Sequence, residues 1–198
     1  MSFKKIIIGL LLSLLLGSGL AVAADFNKGV EAYNSGDFKT ALAEWKPLAA
    51  QGNAAIQYNL GVMYENGEGV PENDKTAVKW LTLAAKQGYA KAQGYLGLMY
   101  QNGEGVLEND KTAVEWLTLA AKQGYAKAQY NLGITYFKGE GVLTDNRRAY
   151  MWWNLANYNG YKAAGKNKDR IAKQMTPADI SKAQDMSSAC LESNYTDC

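Results

Sequence analysis

Apolar residues recur along this chain at helical steps, in short blocks that glycine and asparagine interrupt. From Ala90 to Asn102, Ala92, Leu96, Met99 and Tyr100 stand three or four positions apart, which is one face of an amphipathic helix. Gly103-Glu104-Gly105 breaks the pattern, because glycine reaches positive φ without steric cost and so ends helices. Val106-Leu107-Glu108 crosses over, and Asn109 or Asp110 offers a side-chain oxygen to cap the next helix. That second helix, expected over Lys111 to Gln123, sets Ala113, Trp116, Leu117, Ala120 and Ala121 on one stripe before Gly124 stops it. Gly97 and Ala120 are small where paired helices must approach closely, while Trp116 and Tyr100 can fill the space between pairs.

The block is copied. Asn66 to Gly88 returns 36 residues later as Asn102 to Gly124, differing only at Pro71/Leu107 and Lys79/Glu115. A looser third copy keeps Gly133, Tyr136, Gly139, Gly141, Val142, Ala149 and Gly160. A fixed period of this size means stacked helix pairs, each burying its apolar face against the next. A shorter unit precedes them, with Gly29, Ala32, Tyr33, Ala41, Leu42 and Trp45 around a tight Gly36-Asp37-Phe38 turn. Two closing helices are expected behind, over Lys162–Met175 and Thr176–Ala189, the second starting on a threonine cap and Pro177. The pattern thus predicts an all-α chain of about ten helices.

Ala90, Ala92, Gln93, Leu96, Gly97, Tyr100, Gly103, Gly105, Val106, Asn109, Ala113, Trp116, Ala120, Ala121 and Gly124 together resemble the Sel1-like repeats, relatives of the tetratricopeptide repeats. The unit from Ala54 departs at Ile56. The unit from Ala126 departs at Asn157 and Tyr158, so its second helix is expected to be atypical. The resemblance implies a right-handed α-α superhelix. Residues 25–161 would hold a tetratricopeptide-like unit and three repeats near 53–88, 89–124 and 125–160, with capping helices and a tail over 162–198. Solenoids of that kind line a concave groove with the first helix of each unit. The implied groove residues are Tyr58, Val62 and Glu65, then Gly94, Leu98 and Gln101, then Tyr130, Ile134 and Phe137. Lys91, Lys127 and Lys138 would form its rim.

Related domains that grip a C-terminal carboxylate use lysine and asparagine at the inner positions, which are largely apolar here. An apolar stripe with aromatic ends suits an amphipathic helix or an extended peptide instead. Periodicity does not separate exposed groove residues from residues packed on the neighbouring helix, so both readings stand. The second-helix halves are copied intact, whereas the groove positions diverge, most in size at Tyr58/Gly94 and Gln101/Phe137.

Lys4 and Lys5, the apolar stretch Ile6 to Leu16 and the small residues Ala21-Val22-Ala23-Ala24 read as a signal peptide over residues 1–24. Gly9, Ser13, Gly17, Ser18 and Gly19 interrupt the apolar run, which is marginal against the ~20 residues of a spanning helix. The expectation is an exported, monomeric chain, periplasmic or secreted, without stable membrane insertion after cleavage. Loss of Lys4 and Lys5 with the leader brings 21 basic residues down to 19, equal to the 19 acidic ones. A neutral balance gives no electrostatic reason for a nucleic-acid partner. Cys190 and Cys198 are the two cysteines. In an oxidising compartment they would close a loop contributing ~2–3 kcal/mol in the chain-entropy model. A free or metal-bound pair is the alternative, although the spacing fits neither Cys-x-x-Cys nor a zinc clip.

The chain contains no histidine, which removes Ser-His-Asp and Cys-His relays and histidine metal sites. Gly160 to Lys166 imitates a phosphate loop, but Asn167 stands where Ser or Thr should reach magnesium and no strand is expected before it. Glu68, Glu104 and Glu140 recur in the Gly-Glu-Gly loops without the alternating acids of a calcium loop, and are expected to be solvated. No catalytic residue, metal or cofactor is expected. The function these features imply is a non-catalytic scaffold binding a protein or peptide partner. The alternative is a cell-envelope hydrolase or a β-lactam- or peptidoglycan-binding protein, like cysteine-rich members with a cysteine pair in each repeat. This chain has no cysteine within its repeats.

Overall fold

The computed structural model describes residues 24–198; apart from Ala24, the leader expected over 1–24 lies outside the described residues. Among the described residues there are ten helices and no strand. They pair as α1 (Phe26–Asn34) with α2 (Phe38–Ala50), α3 (Ala54–Asn66) with α4 (Asp74–Lys86), α5 (Ala90–Asn102) with α6 (Asp110–Ala121), and α7 (Ala126–Lys138) with α8 (Asn146–Tyr158). α9 (Ala163–Ala172) and α10 (Pro177–Glu192) come after them. α4 packs on α5 and α6 on α7, so the pairs stack in chain order into an α-α solenoid.

Each boundary has a local cause. The Asn109 side chain accepts the Thr112 N–H at 3.0 Å, as Asn73 accepts that of Thr76 at 2.9 Å. Asn109 is therefore the cap, and α6 starts at Asp110 and ends at Ala121 instead of spanning 111–123. Gly103 ends α5 at φ 72°, where its N–H donates to the Met99 carbonyl. Gly105 closes the joint between units. A Cβ there would lie 2.5 Å from the Asp74 carbonyl, so the loop rests directly on the start of α4. Gly141 rests on Asp110 one unit later in the same way.

Within a pair, glycine sets the approach. A Cβ on Gly133 would meet the Trp153 ring at 2.4 Å, as one on Gly97 would meet Leu117 at 2.8 Å. Between pairs, Trp80 packs on the cluster of α2 and α3, Trp116 on that of α4 and α5, and Trp152 on that of α6 and α7. α8 is a regular 13-residue helix, contrary to the expectation of an atypical one. Ala156 is fully buried where Ala120 lies one unit earlier, so only Asn157 departs from the alanine pair.

A buried glutamine joins each unit to the one before it. The Nε2 atoms of Gln57, Gln93 and Gln129 donate to the carbonyls of Ala49, Ala85 and Ala121 at 2.9, 3.1 and 3.0 Å. Their Oε1 atoms accept from Gln87, Gln123 and Asn159 at 2.7, 2.7 and 2.9 Å. The last turn of each second helix is thus satisfied by a side chain of the next first helix.

The closing helices are shorter and longer than expected, at 163–172 and 177–192, and Thr176 caps the second by accepting the Asp179 N–H at 3.1 Å. α10 packs back on α8, and Cys190 joins the cluster of Leu117 and Leu155. The disulfide Cys190–Cys198 holds the tail there. Asn159 Nδ2 donates to the Tyr195 hydroxyl at 2.9 Å, and Lys122 Nζ to the Thr196 carbonyl at 3.0 Å. No helix of the described residues is long and apolar enough to cross a membrane.

Candidate functional site: the face of the first helices

Tyr58, Val62 and Glu65 stand four and three residues apart on α3, so their side chains share one stripe. The equivalent stripes are Gly94, Leu98 and Gln101 on α5, and Tyr130, Ile134 and Phe137 on α7. Tyr58, Val62, Leu98, Tyr130 and Ile134 are half-buried, Phe137 is 37% exposed and Gly94 is buried. Packing and exposure, which periodicity leaves open, therefore coexist along this face.

Tyrosines at the helix starts complete the face, and hydrophobic periodicity does not reveal them. Tyr89 lies against Tyr58 with centroids 5.6 Å apart, and Tyr161 against Tyr130 at 4.6 Å. At the middle unit, a Cβ on Gly94 would meet the Tyr125 ring at 2.8 Å, so Tyr125 sits on bare backbone. The size difference between Tyr58 and Gly94 thus exchanges a tyrosine pair for a single ring. Only the 36-residue recurrence of Tyr89, Tyr125 and Tyr161 marks them in the sequence.

Tyr95 also escapes a reading by stripes, being one residue beyond Gly94. Its ring stands nearly perpendicular to Tyr58, at 83° and 6.2 Å, and its hydroxyl donates to Glu65 Oε2. Lys127, placed at the rim by sequence, leans over the Tyr95 ring at 6.0 Å. Lys91 is exposed. Lys138 is tied down by Glu140 at 3.0 Å, and Gln101 Nε2 donates to the same carboxylate at 2.7 Å. Glu140 is therefore engaged with protein groups rather than solvated as expected, whereas Glu104 is exposed.

Burial, with the phenols of Tyr125 and Tyr89 and the carboxylate of Glu65 nearby, pushes the Tyr58 hydroxyl up to about 12. Burial raises Glu65 above the ordinary glutamate range; the Tyr95 hydrogen bond and the Lys127 charge oppose that rise, while Glu104 and Asp74 add to it. Two depressions differ in character. One of about 310 Å³ is lined by Val30, Tyr33, Trp45, Tyr58 and Val62, between flanking asparagines. Another, of about 540 Å³, is polar and lies among Gln101, Asp110, Asn131, Ile134, Lys138 and Glu140. The phosphate-loop imitation falls at the turn from α8 into α9 and comes after a helix, not a strand. No group of three or more His, Cys, Asp or Glu among the described residues is arranged to hold a metal ion.

The model of the Sel1 repeat matches residues 54–89, 90–125 and 126–161, more than half of the chain. The chain belongs to the Sel1 repeat family. The three Sel1 units coincide with the pairs α3–α4, α5–α6 and α7–α8. Among solved structures, a Sel1 repeat protein from Oxalobacter formigenes is 34% identical with a TM-score of 0.70, over 73% of this chain and 59% of that one. The protein c5321, a protective antigen present in uropathogenic Escherichia coli strains and displaying an SLR fold, is 38% identical with a TM-score of 0.64. That match covers 66% of this chain and 29% of c5321. This chain therefore spans about three fifths of the first relative and under a third of the second. No curated protein matches it. Sel1 repeats generally mediate protein interaction, and the family is typically non-catalytic.

Proposed function

We propose that this chain is an exported, non-catalytic scaffold that holds a protein or peptide partner in a groove along the first helices of its Sel1 units. The observation that carries the reading is the half-buried face of Tyr58, Val62, Leu98, Tyr130 and Ile134, with the exposed Phe137 beside it. Rigid aromatic groups at a preformed surface bind with little ordering cost. The partner fitting such a face is a segment with apolar anchors. Export rests on the leader pattern of residues 1–24 and on the disulfide, which persists in oxidising compartments.

The test has two arms. Residues 25–198 capture a partner from an envelope extract, and the identified partner is purified and titrated against the chain. Tyr58→Asp, Leu98→Asp and Phe137→Asp should each weaken that binding roughly tenfold or more, as loss of a buried anchor does. Leu119→Asp, on the exposed side of a second helix, should leave it unchanged. Undiminished binding by three folded groove variants moves the interface elsewhere. For export, cell fractionation should find the full chain outside the cytoplasm and a chain lacking residues 1–24 inside it.

A further inference from the structure

The repeats give an internal comparison for the charge of the groove. Glu65 of the first Sel1 unit corresponds to Gln101 of the second, 36 residues on. By the same step Tyr95 corresponds to Asn131, Asn102 to Lys138 and Glu104 to Glu140. In the notch between α5 and α7, Lys138 and Gln101 satisfy Glu140 from within the protein. The notch between α3 and α5 has Glu65 and Glu104 at the positions that Gln101 and Glu140 take one unit later. It has Asn102, whose Nδ2 donates to Glu104 at 3.0 Å, where the other has its lysine. Among the described residues Glu65 forms no salt bridge.

Aromatic walls frame this notch. Tyr58 and Tyr95 meet almost at right angles, and Tyr89 tilts against Tyr58 at 55°. Rings so arranged form a corner that presents faces, and a ring face attracts a cation. The Lys127 ammonium lies 6.0 Å from the Tyr95 centroid, so a cation already reaches this ring. The Tyr95 hydroxyl fixes the ring by donating to Glu65. The apolar depression of Val30, Tyr33, Trp45, Tyr58 and Val62 adjoins the notch through Tyr58. Along α3, Val62 and Glu65 are separated by about 4.5 Å of helical rise.

Resting on the proposed groove, we infer that the α3–α5 notch seats a lysine or arginine of the partner beside Glu65, Glu104, Tyr58 and Tyr95, next to a pocket for an apolar side chain. The occupant is an extended segment with an apolar residue and a basic residue two positions apart. Same-face side chains of an extended chain are on the order of 6.8 Å apart, which spans the step from pocket to carboxylate. The cation adds to Lys127 in offsetting the carboxylates of the notch, as Lys138 offsets Glu140 one unit later.

Two blocked pentapeptides test this, Ala-Leu-Ala-Arg-Ala and the same sequence with neutral citrulline replacing arginine. Residues 25–198 are titrated with each while tyrosine ring resonances are monitored by NMR. The arginine peptide should bind about five- to tenfold more tightly and shift the Tyr58 and Tyr95 rings, as a cation on an aromatic face beside a carboxylate does. Glu65→Gln should abolish that preference and Glu140→Gln should retain it. Both variants are near-isosteric. Equal binding of the two peptides, a preference surviving Glu65→Gln, or no shift of these rings would each overturn the inference. If the Tyr58, Leu98 and Phe137 variants still abolish partner binding in that case, the cation seat is wrong and the groove stands. If they do not, the groove reading fails first.

Discussion

Gly133→Ala tests the idea that glycine sets the distance within each helix pair. In an exposed helix this change removes the entropic penalty of glycine and stabilises by ~0.5–1 kcal/mol. Here the new Cβ would lie 2.4 Å from Trp153 Cδ1 and Nε1. Trp153 is 1% exposed, and its Nε1 donates to the Tyr130 carbonyl at 3.1 Å. The indole has nowhere to retreat without breaking that bond. Overpacking costs ~1–3 kcal/mol and the lost hydrogen bond ~0.5–1.5 kcal/mol. Set against the helix gain, the net loss is about 2 kcal/mol, or a fall of about 4–8 °C in Tm for a chain of this size. Urea and thermal unfolding of residues 25–198 by far-ultraviolet circular dichroism measure it. Gly165→Ala is the control, since its nearest neighbour is the movable Asn157 Oδ1 at 3.0 Å; it should be neutral or stabilising. In a Trp153→Leu background the penalty of the added methyl should roughly halve, because the two sites are in contact. A Gly133→Ala protein as much stabilised as the control would refute the packing argument.

Gln93→Leu should cost ~1–3 kcal/mol in urea unfolding, because the Ala85 carbonyl and the Gln123 amide lose their shared partner. Replacing Cys190 and Cys198 together with serine should cost ~2–3 kcal/mol by the chain-entropy model and speed amide exchange over the tail residues that meet Asn159 and Lys122. Glu44 accepts hydrogen bonds from Lys28 Nζ at 2.5 Å and the Asp25 N–H at 2.9 Å, and these hold its carboxyl below the ordinary value of 4.5. A depressed carboxyl stabilises the fold in full above that value and loses its effect as pH falls through the depressed one. Glu44→Gln should therefore lower Tm at neutral pH, with the difference closing in acid; a difference independent of pH would remove the ion pair as its cause.

Trp153 shows how stability and site are tied. It packs on Gly133, holds the carbonyl of Tyr130 and lies 5.9 Å from Phe137, so core packing of α8 fixes two residues of the proposed groove. The glutamine joints act likewise between units, since each fixes how far one first helix stands from the last turn before it. A scaffold of this kind presents its surface through spacing, and spacing is a property of buried contacts.

The repeat, the helix pairs and their glycine stops are legible from sequence because they are local: apolar period, cap and left-handed glycine act within a few residues. Asn109 and Asp110 compete for the cap in sequence only because both carry a suitable oxygen. Nothing local, however, tells Gln93 that its amide will meet Ala85 and Gln123, or Tyr95 that it will stand across Tyr58 and donate to Glu65. Those contacts arise only when successive first helices lie side by side. The periodic code thus determined a stack of α-helical pairs and which residues of α3, α5 and α7 share a stripe. The tertiary arrangement alone decided which tyrosines wall that stripe and which glutamates receive a phenol or an amide from a neighbouring unit, because such pairings join residues about 30 or more apart in the chain.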